Sequence, residues 1–371
     1  MGACTDALVL LAESSIMDLF DGAVLASEAI DEYLKSQESN PLFLAGDSLE
    51  LLRSFPSECI DCCMTSPPYW GHRSYSDGGI GLEASAEEYT EHLLAITCEI
   101  KRVLKATGSF WLNIGDAYYK KSLLGLPWRV AISMTDQQGW ILRNSVIWNK
   151  VKGGLDNTKD KLRNVHEPVF HFVKSGCYYY DVDAIRNKPG QAKVVNGSVV
   201  SATGVSGIRY RRQIELSTAL TDAEKDAAFS ALENVLTDVR AGRLSDFRMI
   251  IRGQQRVTHS DSDKVSGRAR EISEKGFYFL KYHPNGSKPG DVWDILPEDT
   301  QNRKAHFAPY PEDLCKIPIL ATCPEHGIVL DPFAGTGTTN LAAFHLGRKS
   351  VGIDVSSEYL LAARERCRLL L

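Results

Sequence analysis

Residues 328–339 read IVLDPFAGTGTT. An apolar strand, an acidic residue at its end, Gly335 and Gly337, and a helix-forming run TTNLAAFHLG follow one another here without a break. Glycines at such a turn let a ligand lie against bare backbone at the carboxyl end of a strand, where open α/β sheets bind their ligands. The turn has no GK[ST], which argues against a triphosphate-holding loop, and it does not meet the GxGxxG dinucleotide fingerprint. The next apolar run, KSVGIDV, ends on Asp354, about 20 residues downstream, where a carboxylate in such a fold accepts hydrogen bonds from ribose hydroxyls. The two features together indicate an adenosine-containing ligand without a pyrophosphate, which fits S-adenosylmethionine.

Upstream, the chain alternates strand and helix patterns. After Asn40 and Pro41 come PLFLAGDS, the helical LELLRSFP and the buried run CIDCCMTSPPYW. The helical YTEHLLAITCEIKRVLKATG then runs into SFWLNIGDAYY, helix LPWRVAISMTDQQG follows, and NSVIWNK and EPVFHFVKSG read as strands. This alternation predicts a parallel or mixed sheet with helices on both faces. Residues 1–40 read as one or two amphipathic helices with a packing or self-association role. Between 186 and 290 the pattern breaks into Gly, Ser and Val-rich turns, the helix TDAEKDAAFSALENVLTDVRAG and the basic stretch FRMIIRGQQRVTHSDSDKVSGRAR, an insertion with a small helical unit of its own. The expected division is therefore 1–40, a helical extension; 41–185, one half of the core; 186–290, the insertion; and 291–371, the other half.

Residues 65–70 read TSPPYW at a strand end. Consecutive prolines hold the backbone extended and offer no N–H, so nearby carbonyls point outward as acceptors. An exocyclic amine is a poor nucleophile because its lone pair is delocalised into the ring. A serine hydroxyl and a proline carbonyl that accept its two N–H bonds turn the nitrogen toward tetrahedral geometry and stabilise the positive charge of attack. Tyr69 offers a ring on which an extruded base stacks. This chemistry calls for neither a covalent nucleophile nor a metal.

With TSPPYW early, an insertion near 186–290 and the glycine turn late, the chain resembles the bacterial and phage exocyclic-amino DNA methyltransferases of the permuted β group. The resemblance covers about residues 42–371. It implies a doubly wound, mostly parallel Rossmann-like α/β fold, circularly permuted, with an inserted target-recognition region. It also implies Ser66, Pro67, Pro68 and Tyr69 as the catalytic motif. Asp331, Phe333, Gly335, Thr336 and Gly337 match the cofactor turn and Asp354 the ribose-binding acid, while Asp47 resembles the acid near the adenine amino group. His306 and Ala308 resemble the segment closing over the methionine end. SPPY is associated with cytosine N4 and DPPY with adenine N6, so the serine favours cytosine N4. The implied partner is double-stranded DNA, with a cognate restriction endonuclease and a homodimer both compatible with the family.

The net charge of −5 is unevenly spread: residues 186–290 hold 18 Lys and Arg against 11 Asp and Glu, so this segment is +7 and the remainder −12. A basic module suits a polyanion, and Arg209, Arg211, Arg212, Arg248, Arg252, Arg256, Arg268 and Arg270 are its candidate DNA contacts, or else a solvated face. The Gly78–Gly79 loop is a candidate for closing on DNA, or a plain surface loop. None of the nine cysteines follows a proline, which excludes a cytosine C5 enzyme of the cysteine-nucleophile kind. Cys59 and Cys62 stand as CxxC without a second pair and read as core thiols. No stretch reaches the roughly 18 apolar residues of a membrane span, and the opening residues lack a secretory leader, so a cytoplasmic location is expected. An RNA or small-molecule methyltransferase would have no use for the basic insertion. A non-enzymatic DNA-binding protein would leave both methyl-transfer motifs unexplained.

Overall fold

In the computed structural model, which describes residues 19–37, 39–71, 79–152, 157–253, 267–298 and 310–368, the run Ile60–Thr65 is a strand buried on both faces. A strand without a polar face needs helices above and below it, and the element order supplies them. The first unit, Met1–Asp181 with Gly290–Leu371, opens with α1 (Leu19–Lys35), β1 (Leu42–Ala45), α2 (Ser48–Ser54), β2 (Ile60–Thr65), α3 (Ala86–Val103) and β3 (Leu104–Asn113). A hairpin of β4 (Tyr118–Tyr119) and β5 (Ser122–Leu123) leads to α4 (Leu126–Gln138), β6 (Ile141–Asn149) and β7 (His166–Val173). The second unit, Val182–Pro289, holds β8 (Lys193–Val195), β9 (Ser198–Val200), α5 (Gly207–Glu215), α6 (Asp222–Arg240), β10 (Asp246–Ile251), α7 (Gly267–Lys275) and β11 (Phe277–Tyr282). The first unit then resumes with β12 (Val292–Asp294), α8 (Glu312–Thr322), β13 (Ile328–Asp331), α9 (Thr338–His345), β14 (Lys349–Asp354) and α10 (Ser357–Arg368).

The first unit is built on an eight-stranded sheet in the order β1-β14-β13-β2-β3-β7-β6-β12. Only β7 runs against its neighbours, antiparallel to both β3 and β6. The mostly parallel sheet is the one the alternation predicts. Along β2, Cys62 and Met64 pack with Leu314 and Ile319 of α8 and Ala342 and Ala343 of α9. Ile60 and Cys63 pack on the other face with Leu51 and Leu52 of α2 and Leu93, Ile96 and Ile100 of α3. Burial of each such leucine or isoleucine contributes roughly 1.5–3 kcal/mol. Helix α1 joins the second of these clusters through Ala26, Ile30 and Tyr33, and Lys349 holds it by donating to the Ser36 carbonyl at 2.8 Å.

Helix α3 stops at Val103, short of the expected end at Gly108, because Leu104 turns extended and pairs with Ile60. Sheet pairing overrides the helical propensity of the LKA that follows. Cys59, Cys62 and Cys63 are buried; burial pushes the Cys59 thiol up to about 11 and Cys62 up to about 12. No helix among the described residues is long and apolar enough to cross a membrane.

The second unit adds paired strands to the small helical unit expected of the insertion. The stretch that begins the basic run is strand β10, paired antiparallel with β11. Phe247, Met249 and Ile251 enter a core with Tyr210, Ile214, Leu232 and Leu236, while Arg248 between them is exposed. The period of two was present in FRMII but lay under its basic letters. Helix α6 begins with a full capping box between Thr221 and Glu224, an arrangement that contributes about 1 kcal/mol.

Candidate active site

The carboxyl ends of the parallel strands meet at a cavity of about 640 Å³, well within the usual range for a cofactor site. Ser66, Pro67, Pro68 and Tyr69 follow β2 directly and line one side of it. The other side is walled by Phe333, Gly335, Thr336 and Asp354, with Asp47 and Ser48 at the start of α2.

Tyr69 is fixed on three sides. Its hydroxyl donates to Glu167 Oε2 at 2.8 Å and lies 3.2 Å from Asn113 Oδ1 and from Ser66 Oγ. Its ring lies against Gly115, where a Cβ would stand 2.4 Å from Cε2. Burial first, then the charge of Glu167, holds the phenol well above its ordinary value, so it stays protonated and donates. Glu167 also accepts from Asn113 Nδ2 at 3.2 Å and from Lys150. An ionised carboxylate only accepts, so Tyr69 gives its proton to Glu167 and its oxygen receives that of Ser66. The lone pairs of Ser66 are then available to the cavity. The Pro68 carbonyl accepts from Tyr89 at 3.0 Å, and Pro67 lies beside Ser66 on the cavity wall.

Gly335, with φ of 52°, turns its N–H toward Asp354 Oδ2 at 2.8 Å, and Asp354 Oδ1 accepts from Ser356 N at 2.9 Å. The carboxylate is thereby held at the cavity wall. Asp47 Oδ1 caps α2 by accepting from the backbone of Leu49 and Glu50, and so combines the turn role with a place on the wall. Phe333, Ile80 and Val355 supply apolar surface to the same cavity. A wall that brings two carboxylates from the neighbouring ends of β1 and β14 together with an aromatic ring and a bare glycine turn fits an adenosine-containing cofactor.

Two residues expected at the cofactor sit elsewhere. Asp331 does not line the cavity: its buried carboxylate is taken up by Thr65 at 2.5 Å, Thr339 at 2.6 Å, Tyr310 at 2.9 Å and Phe333 N at 3.1 Å. Burial raises its pKa, and these donors fasten the end of β13 to the end of β2. Gly337 caps α9 with φ of 74°, and a Cβ there would stand 2.8 Å from that of Ala363. It is a packing glycine. His306, Ala308, Arg256 and Gly78, together with the side chain of Arg268, lie outside the described residues; Gly79 lines the cavity.

In the second unit Arg209, Arg212 and Arg248 are exposed, and Arg211 is exposed but paired with Glu233. Arg270 pairs with Glu274 at 2.7 Å. Arg252 is a structural residue, bound to Glu224 at 2.7 Å and to the carbonyls of Ala219, Ile272 and Ser273. The sequence reading missed Asn113, Gly115, Lys150 and Glu167. Lys150 follows β6 and Glu167 lies near the start of β7, so only the reversal of β7 brings Glu167 to the same sheet edge. Among the described residues no group of three or more His, Cys, Asp or Glu is placed to hold a metal.

A doubly wound sheet whose glycine turn faces an SPPY tetrapeptide across one cavity defines an amino-methyltransferase. Residues 60–365 match the DNA methylase family of N6 and N4 methyltransferases, and the chain belongs to that family. It is 31% identical over 377 residues to the type II methyltransferase M.SfiI of Streptomyces fimbriatus, spanning 85% of this chain and 88% of that protein. With M.SmaI of Serratia marcescens the identity is 27% over 383 residues, covering 95% and 97%. Among solved structures, PvuII DNA methyltransferase (cytosine-N4-specific) shares the fold, with a TM-score of 0.53 and 19% identity over 90% of this chain and 91% of that one.

Proposed function

We propose that this DNA methyltransferase transfers the methyl group of S-adenosylmethionine to the exocyclic N4 of a cytosine flipped out of double-stranded DNA, in a restriction-modification or host-protection setting. The observation that carries this reading is the hydrogen-bond chain Ser66–Tyr69–Glu167 at the mouth of a cavity shared with the Gly335–Asp354 turn.

Asp354 and Asp47 would hold the ribose and adenine of the cofactor, with Phe333 and the glycine turn on the same wall. S-adenosylmethionine, when bound, supplies an electrophilic methyl group on a sulfonium sulfur. Tyr69 stacks the extruded base on its open face, a contact worth about 1–3 kcal/mol in aromatic–base pairs generally. Ser66 Oγ and the Pro67 carbonyl accept the two N–H bonds of the base amine and steady the charge that grows on nitrogen as its bond to carbon forms. The sulfur–carbon bond breaks, and one amine proton leaves to solvent. Lys150 and Asn113 hold Glu167, and through it the polarity of the serine.

The test is to incubate the purified protein with plasmid DNA and methyl-labelled S-adenosylmethionine, digest to nucleosides and identify the labelled one by mass spectrometry. Label in N4-methylcytosine is the expected result. Label in N6-methyladenine keeps the mechanism and overturns the choice of base. No label on several DNAs, despite measurable cofactor binding, removes DNA as the substrate.

A further inference from the structure

Beyond Gly115 and Asp116 on the cavity wall the chain turns at once into the β4–β5 hairpin. Asp116 Oδ1 accepts from Ala117 N at 2.8 Å and from Leu126 N at 3.1 Å, so one carboxylate gathers both feet of the hairpin. Every residue from 118 to 123 is exposed, including Tyr118, Tyr119 and Leu123. Core burial therefore does not explain why the hairpin is there.

Its two-residue tip is Lys120–Lys121, with φ of 46° and 71°. Connections with both φ positive favour Asn-Gly, and a side chain at either place is strained. The chain keeps two lysines where Asn-Gly would fold more easily.

A second basic segment stands beside this tip. Lys121 Nζ is 3.2 Å from Asp160, and Lys161 Nζ lies 4.9 Å over the ring of Tyr118. The segment 157–163 carries Lys159, Lys161 and Arg163, with Leu162 exposed, and continues into Asn164 and His166 on the cavity wall. Among the residues of these two segments, 118–123 and 157–163, Lys120, Lys121, Lys159, Lys161 and Arg163 stand with one acid, Asp160, and both segments run from the cavity wall.

We infer that the hairpin 118–123 and the segment 157–163 form a phosphate-gripping rim for duplex DNA, holding the backbone beside the nucleotide delivered to the cavity. The inference rests on DNA being the substrate. The Lys121–Asp160 pair is exposed on both sides, so it gives way readily to a phosphate. Contacts of this kind set position and affinity without reading bases.

The test replaces Lys120→Asn together with Lys121→Gly, which removes both charges while giving the turn the residues it favours. Duplex affinity is measured against salt for wild type and variant. Each lost phosphate contact lowers the slope of log K against log salt by about 0.9, so the expected slope is shallower by about 1–2, with weaker DNA binding at moderate salt. S-adenosylmethionine affinity should be unchanged and the melting temperature equal or higher. An unchanged slope and affinity overturns the rim, as does a loss of turnover with DNA binding intact. Lys159→Gln with Arg163→Gln, outside the strained turn, should reproduce the shallower slope; if neither variant changes it, the rim is refuted whatever the folding of the first. A wild-type protein that binds no duplex at any salt overturns the DNA reading itself, a result distinct from a variant that matches a binding wild type.

Discussion

Ser66 and Asp354 face the same cavity from opposite sides, and their substitutions should separate chemistry from binding. Ser66→Ala removes a pre-placed acceptor and should lower kcat by about 10²–10³ while sparing cofactor affinity in calorimetry. Asp354→Ala should do the reverse, weakening S-adenosylmethionine binding about tenfold or more before turnover at saturating cofactor suffers. Glu167→Gln tests the relay that aims Ser66. A glutamine can present a donor to Tyr69 and let the chain of protons reverse, so kcat should fall about tenfold with the cofactor Kd unmoved; equal kcat in steady-state assays would remove Glu167 from the mechanism. At this scale the sequence revealed Ser66, Tyr69 and Asp354 because their local motifs carry the chemistry. Glu167 and Lys150 were hidden, since each is an ordinary charged residue at a strand end until the sheet places them side by side. Asp331 was read as a cofactor contact because it has the right letter in the right turn, yet its oxygens are already filled by Thr65, Thr339, Tyr310 and Phe333 N.

The elements show where periodicity speaks and where it misleads. The six buried positions of β2 and the amphipathic run of α3 could be read directly, but the end of α3 was set by the pairing of Leu104 with Ile60. In the second unit, arginines that look alike in the sequence divide by element. Arg248 projects from β10 into solvent, whereas Arg252, just past its end, ties the start of α6 to the last turn of α7 and the residue after it. Arg252→Ala should therefore lower unfolding stability by about 1–3 kcal/mol, seen as an earlier urea midpoint, and leave the salt dependence of DNA binding as it was. A shallower salt slope with unaltered stability would return Arg252 to the DNA contacts.

Across the whole molecule the sheet order explains both the cavity and a pH limit. His171 of the reversed strand is buried, stacked on Trp111 at 4.1 Å between ring centroids, with Tyr180 on a further stack at 6.2 Å. Burial first, then the charge of Arg143, lowers its pKa from 6.5 to about 3. Between these values the unfolded chain takes up a proton that the folded chain refuses, so stability falls as pH drops below 6.5. This residue should make the protein about 2 kcal/mol less stable at pH 5 than at pH 7, and His171→Gln should flatten that difference in denaturation curves. The direction of β7, which places His171 and Glu167, has no signature in a single sequence, because a buried strand reads the same both ways. The pairing of Cys62 and Cys63 with Val329 and Leu330 has one further consequence. As the polypeptide leaves the ribosome, β2 and its SPPY tip are made long before the strand that must lie beside them, and the inner edge of β2 has to wait open for it. Closure of the sheet is thus a late event of synthesis, and the SPPY tip meets the glycine turn only once β13 has been made.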